Sequence, residues 1–209
     1  MCKTKAFWTG ISGTVLFILT TIVGGILYPD YSHVSQFISE LYAVDAPHDD
    51  FLRFFGYIPS GFLLLLFSIF AIMETSKSIV KTIGFLGMGI GYGFGTIICG
   101  VFNCDADCNP HFINPSLSQI IHNFMGFLTY CVTPVSLFLI AIAARKWKNG
   151  VWFSNSTFIL SFISFCFVGL LNANFHSPYK GLIQRVIEGS ILLWVLLCVY
   201  YLSKNKRTY

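Results

Sequence analysis

The sequence predicts an all-α fold: a polytopic membrane protein with six transmembrane helices in one bundle and a short interfacial helix in the first outer loop. Three observations carry that prediction. Of 209 residues, 55% are hydrophobic and only 11% are charged, where a soluble domain carries about a quarter charged residues. A chain of this size cannot hide so much apolar surface from water, and the mean hydropathy of +0.71 points to lipid as the solvent. The apolar residues also fall in six stretches of the length a helix needs to cross a bilayer, 7–28, 55–73, 82–102, 120–144, 151–171 and 182–202. They run continuously, without the alternation of β-barrel strands, and together they make residues 1–209 a single six-helix domain. Disorder, collagen-like repeats and nucleic-acid binding are excluded by the same composition.

The first span follows Lys3 and Lys5 and ends in Tyr28-Pro29-Asp30, with no small-residue cleavage site. It reads as a retained helix, not a signal peptide. With the N-terminus inside, Lys3, Lys5, Lys77, Lys81, Arg145, Lys146, Lys148, Lys204, Lys206 and Arg207, ten of the 13 basic residues, lie on the cytoplasmic side. The positive-inside rule therefore places both termini in the cytoplasm of a multi-pass protein of the cell membrane. Eight of the nine acidic residues and all five histidines fall at or near the outer face, Glu74 being the exception. Chemistry belongs at the outer mouth.

The loop from Pro29 to Phe54 is long enough to carry structure of its own. Within it Phe37, Ile38, Leu41 and Tyr42 share one helical face, and Ser35, Ser39 and Glu40 turn toward the other. This is the interfacial helix, either a lid with solvated polar residues or one that turns Ser39 and Glu40 inward. His48-Asp49-Asp50 reads as a helix start, with metal ligation as the sharper alternative. In the third span Gly87, Gly91 and Gly95 recur at every fourth position, a small-residue face for close helix packing. No strand precedes that run and no Lys-Ser/Thr follows it, so it is not a phosphate loop.

The next outer loop holds Cys104-Asp105-Ala106-Asp107-Cys108. In an oxidising compartment a Cys104–Cys108 disulfide is the default; zinc held with Asp107 and His111 is the alternative. Cys2, Cys99, Cys131, Cys166 and Cys198 read as small apolar residues. His122 opens the fourth span beside Ser118, Gln119 and Asn123, and Pro134 is expected to kink it. The last outer turn, Asn172 to Gly181, is dense in hydrogen-bonding groups, Asn174 and His176 among them, and leads into Gln184, Arg185 and Glu188.

Ile38-Ser39-Glu40-Leu41, Pro47, Gly100-Val101-Phe102-Asn103-Cys104-Asp105, His122 and Gly181-Leu182-Ile183-Gln184-Arg185, in this order, resemble the membrane family catalogued as domain of unknown function 998. The resemblance covers nearly the whole chain and implies a six-helix integral membrane fold. It implies no particular activity.

An ionisable residue within a membrane helix is a functional hypothesis by default. In the leading one, an enzyme acts on a lipid or lipid-linked substrate at the outer leaflet. His122 is the general base, Asp105 or Glu40 orients it or acts as acid, and Ser39 is a candidate nucleophile. Arg185 holds a phosphate or oxyanion, with Gln184, His176 and Asn174 as further substrate contacts. The alternatives are a non-catalytic binder or permease for a lipid headgroup or small anion, and a scaffold in which Arg185 pairs with Glu188 and His122 bonds Asn174. Membrane lipids are the expected partners; no metal or cofactor is assigned.

Overall fold

The computed structural model describes residues 4–205; Cys2, Lys3, Lys206 and Arg207 lie outside the described residues. Six helices are long and apolar enough to cross a membrane: α1 (Lys5–Leu27), α2 (Asp49–Glu74), α3 (Ile79–Val101), α4 (Leu117–Ala144), α5 (Val151–Ala173) and α6 (Lys180–Lys204). No strand occurs among the described residues. Short connections make sequential helices antiparallel neighbours, and α1 packs on α6 to close the circuit. Large apolar side chains such as Ile26, Phe55, Ile79, Phe124, Phe162 and Phe165 point outward and are exposed. Lipid is the solvent that makes such a surface favourable.

Helix ends follow local chemistry. Thr4, Ser78 and Ser116 cap α1, α3 and α4 by accepting from the backbone N–H three residues on, the standard use of a short hydroxyl side chain at an N-cap. α2 begins at Asp49, six residues before the expected span. His48 sits in the left-handed region at φ 62° as its N-cap, and Asp49 and Asp50 both pair with Arg53 one turn later, at 3.7 and 3.2 Å. His48-Asp49-Asp50 is thus a helix start.

The glycine run of α3 serves two neighbours, not one. A Cβ on Gly91 would sit 3.0 Å from Val132 of α4, while one on Gly93 would sit 2.7 Å from the Leu65 backbone nitrogen of α2. Between them the backbone widens into a π-helical segment, Met88–Phe94. Thr129 of α4 donates to the Gly91 carbonyl at 2.8 Å, a cross-helix bond open only to backbones in close approach.

The core is aromatic: across α2, α3 and α6, Phe67 packs edge-on against Phe85 and Trp194, which are tilted against each other. Trp194 donates its indole N–H to Thr157 at 3.1 Å, so its one polar atom is satisfied. α6 is the most enclosed span, with 61% of its apolar window buried against 33% for α1 and α5. Polar side chains on α6 therefore face protein.

Candidate functional site

The loops 28–48, 102–116 and 174–179 share one end of the bundle, and they are stitched to the helix ends and to one another. The segment Ile38–Tyr42 forms a single 3-10 turn. It does not float as an amphipathic surface helix, because Phe37, Ile38, Glu40, Leu41 and Tyr42 are all buried. It plugs the mouth as a lid. Leu182 N donates to Val34 O at 2.9 Å, Ile38 N to Gln184 Oε1 at 2.7 Å and Arg185 Nη1 to Gln36 O at 2.9 Å. These bonds use the N–H groups and side chains of the first turns of α6, which have no helical acceptor or donor of their own there. Gly181 makes the approach possible: a Cβ there would meet Gln36 N at 2.8 Å and His33 O at 2.9 Å.

Glu40 lies inside the lid, 5% exposed. Its Oε1 accepts from Phe37 N at 2.9 Å and pairs with Lys180 Nζ at 3.0 Å. A buried carboxylate needs such a cation and such a donor to offset its lost hydration. Lys180 also lies over the Phe37 ring, 4.6 Å from its centroid.

Cys104 and Cys108 are joined as a disulfide, with Cα atoms 4.8 Å apart. The Cys104 carbonyl accepts from Val44 N at 2.8 Å, which ties this loop to the lid. No group of three or more His, Cys, Asp or Glu side chains gathers as a metal set among the described residues.

Under the lid lies a cavity of about 300 Å³. Its roof is Phe37 to Ser39, Tyr42, Cys108 and Asp107; α3, α4, α5 and α6 form the walls. Asn123 and Phe127 on the upper part of α4, Asn172 at the end of α5 and Phe175 in the loop after it are its exposed rim. Phe127 is about 15 Å along α4 from Leu117 at 1.5 Å per residue, and it is 55% exposed. The cavity therefore opens sideways, between the outer parts of α4 and α5.

His122 lines the cavity and is 7% exposed. Its Nδ1 lies 2.8 Å from Phe102 O and 3.1 Å from Cys99 O. Carbonyls only accept, so Nδ1 carries the proton and Nε2 of the neutral ring presents a lone pair. No hydrogen bond to Nε2 exists among the described residues. The Tyr42 ring packs 6.1 Å away, centroid to centroid.

Glu188 sits deeper, about 12 Å along α6 from Lys180, and lines the cavity floor. Tyr130 donates to its Oε1 at 2.7 Å, and Tyr92 donates to its Oε2. Gln184 Nε2 donates to Tyr130 at 2.9 Å while its Oε1 accepts from the lid. A continuous chain of hydrogen bonds thus runs from the buried carboxylate to Ile38 in the lid.

Of the candidate catalytic and substrate-binding residues, the structure brings Ser39, His122 and Gln184 to one cavity, together with Cys108, Asp107, Asn123 and Glu188. Ser39 Oγ lies 3.4 Å from Cys108 Sγ and has no hydrogen bond to His122. Asp105 is elsewhere: its carboxylate accepts from Ser116 N at 3.1 Å and Asn109 Nδ2 at 3.3 Å and organises its own loop. Hydrogen bonds from Ser116 and Asn109 hold its carboxyl below the usual range. Backbone carbonyls, not Asp105 or Glu40, orient His122. Arg185 does not pair with Glu188. Its guanidinium bonds Gln36 O, Gly181 O at 3.0 Å and Tyr31 OH at 2.6 Å, away from the cavity. Burial pushes the Tyr31 phenol up to about 12, against the pull of Arg185.

Asn174 and His176 are exposed on the last loop. Asn174 Nδ2 bonds Leu170 O at 3.1 Å, and His176 stacks on His111 at 6.0 Å. Neither reaches the cavity. Sequence reasoning left Tyr92 and Tyr130 out and gave Glu188 only to Arg185. An acid placed two turns inside an apolar span was the signal for Glu188; nothing marked its tyrosines.

A circuit of six helices long and apolar enough to cross a membrane, closed at one end by stitched loops over a cavity, defines a multi-pass membrane protein. The chain belongs to the family described as Protein of unknown function (DUF998), which matches residues 11–200. No curated protein and no solved structure matches it.

Proposed function

We propose that residues 1–209 form one membrane domain that binds an amphipathic, lipid-class molecule in the cavity between α3, α4, α5 and α6. The observation that carries the reading is the sideways opening at Asn123, Phe127, Asn172 and Phe175 beneath a stitched lid. A molecule that partitions into the bilayer enters through that rim, places its polar end among His122, Gln184 and Glu188, and leaves its apolar part on Phe17, Leu171 and Phe127. A cavity of about 300 Å³ is at the lower end of the size range of small-molecule sites. The basic loops and the termini face the cytoplasm, so the cavity belongs to the outer leaflet of the cell membrane.

Binding is favoured over turnover by how the candidate catalytic groups are engaged. Glu40 is held by Lys180, Asp105 by its own loop and Arg185 by the lid carbonyls. His122 Nε2 keeps a free lone pair without a hydrogen-bonded nucleophile beside it.

Gly126 provides the test. It lines the cavity, and a Cβ there meets nothing within 4 Å. A Gly126→Phe side chain leaves the wall through that open space and takes up chamber volume. Lipid extraction and mass spectrometry of purified protein should find an amphipath with the wild type that is absent from Gly126→Phe, at unchanged melting temperature. Equal retention by the variant, or no bound amphipath in the wild type, refutes the reading.

A further inference from the structure

Several polar groups of the cavity have spent their protons on the protein and turn lone pairs inward. Thr96 donates to Tyr92 O at 2.7 Å and Thr129 to Gly91 O at 2.8 Å. His122 gives its Nδ1 proton to Cys99 O and Phe102 O and turns a bare Nε2 inward. Tyr92 and Tyr130 donate to Glu188. Gln184 is used at both ends. The remaining donors on the wall are the Ser39 and Tyr42 hydroxyls, the N–H groups of Lys180 and Gln184 that Glu40 and Tyr130 leave unused, and the amides of Asn123 and Asn172 at the exposed rim.

Charge follows the same pattern. Glu188 on the floor and Asp107 in the roof are carboxylates on the lining. Lys180 is the lining's cation among the described residues, and Glu40 neutralises it at 3.0 Å. Arg185, three residues before Glu188, is turned to Gln36 O, Gly181 O and Tyr31. Glu188 is 8% exposed and has two hydroxyl donors but no basic side chain bonded to it.

From this we infer that the polar end of the bound molecule is a protonated amine, so that the ligand is an apolar or lipid-linked ammonium. This rests on the cavity being the amphipath site proposed above. An ammonium is three donors and no acceptor, the complement of the Glu188 carboxylate, which no basic side chain bonds, and of the His122 Nε2 lone pair. Its charge cancels that of Glu188 where water cannot, and a cation and an anion are buried together at far lower cost than either alone. The ring faces of Tyr42 and Tyr130 on the same lining add attraction for a cation. A phosphate or carboxylate end beside Glu188 would meet like charge.

The experiment is a native mass spectrometry titration of the purified full chain in non-ionic detergent with dodecylamine, dodecanol and dodecanoate near neutral pH. These probes share one apolar tail and differ in the head. The one-to-one dodecylamine adduct should form at least about tenfold below the concentration needed for dodecanoate, as befits a hydrogen-bonded charge pair. Glu188→Gln should bring dodecylamine to the level of dodecanol, and Gly126→Phe should abolish all three adducts. Dodecanoate binding as well as dodecylamine, with both lost in Gly126→Phe, overturns the ammonium assignment and leaves the cavity reading standing. No adduct with the wild type, or adducts that persist in Gly126→Phe, overturns the cavity reading itself. Where Glu188→Gln does not accumulate, the wild-type ranking of the three heads decides.

Discussion

Alanine at Gly93 and alanine at Gly126 are chemically the same change, yet the structure expects opposite signs. Both positions are helical, where alanine is preferred over glycine by about 1 kcal/mol. At Gly93 the added Cβ would lie 2.7 Å from Leu65 N, 2.9 Å from Leu65 Cα and 3.0 Å from Gly61 O. These are backbone atoms of α2 and cannot rotate away, so α2 and α3 must separate. Forcing a methyl into a packed contact costs about 1–3 kcal/mol, and the Thr129 bond to Gly91 O is strained by the same shift. At Gly126 the Cβ enters open space, and only the propensity gain remains. In a bilayer that gain is reduced, because helices persist in the unfolded reference state. Gly126→Ala should then be neutral to about 1 kcal/mol more stable, and Gly93→Ala about 1–2 kcal/mol less stable. Reversible unfolding in mixed micelles, followed by far-ultraviolet dichroism and tryptophan emission, reads the two midpoints. Wild-type stability for Gly93→Ala would refute the α2–α3 register, and a destabilised Gly126→Ala would refute the open wall on which the cavity reading stands.

Lys180→Ala strands Glu40, which is 5% exposed, and should cost up to about 3–5 kcal/mol, the range for breaking a buried pair. The double variant Lys180→Met/Glu40→Gln should recover most of it in the same unfolding assay. Asp105 is held below its ordinary value by Ser116 and Asn109, so the stability it contributes is present above its unfolded pKa of about 4. That contribution is lost as pH falls through the lower folded value, and Asp105→Asn should lose less stability than wild type between about pH 5 and pH 3. Reporter fusions test the orientation: a fluorescent protein after Lys204 should light up and a periplasm-dependent phosphatase there should stay inactive. An active phosphatase would invert the topology and move the cavity to the inner leaflet.

What could be read from sequence divides by the range of the interaction. Span existence is a local property, since twenty consecutive apolar residues bury themselves in lipid whatever surrounds them. All six spans were legible for that reason, and so was the packing role of Gly87, Gly91 and Gly95. His48-Asp49-Asp50 was legible as a helix start, but the span itself began at 55 because hydropathy falls away at Asp49, Asp50 and Arg53; the pairing of both acids with Arg53 joins the two into one helix. The lid was half legible. Its apolar face was visible in Phe37, Ile38, Leu41 and Tyr42, but the burial of Glu40 was decided by Lys180, 140 residues away along the chain.

The sequence by itself determined the solvent of this protein, its helix count and the end of the bundle that gathers the acids and histidines, because hydropathy and charge act residue by residue. The tertiary structure decided which polar groups are free. Arg185 and Asp105 looked available and are consumed by Gln36, Tyr31, Ser116 and Asn109. Glu188 looked paired and instead faces the cavity with two tyrosines. A hydrogen-bond valence is spent on whichever partner the folded backbone brings within about 3 Å, and for Arg185 and Glu40 at the mouth of this bundle those partners come from the opposite end of the chain.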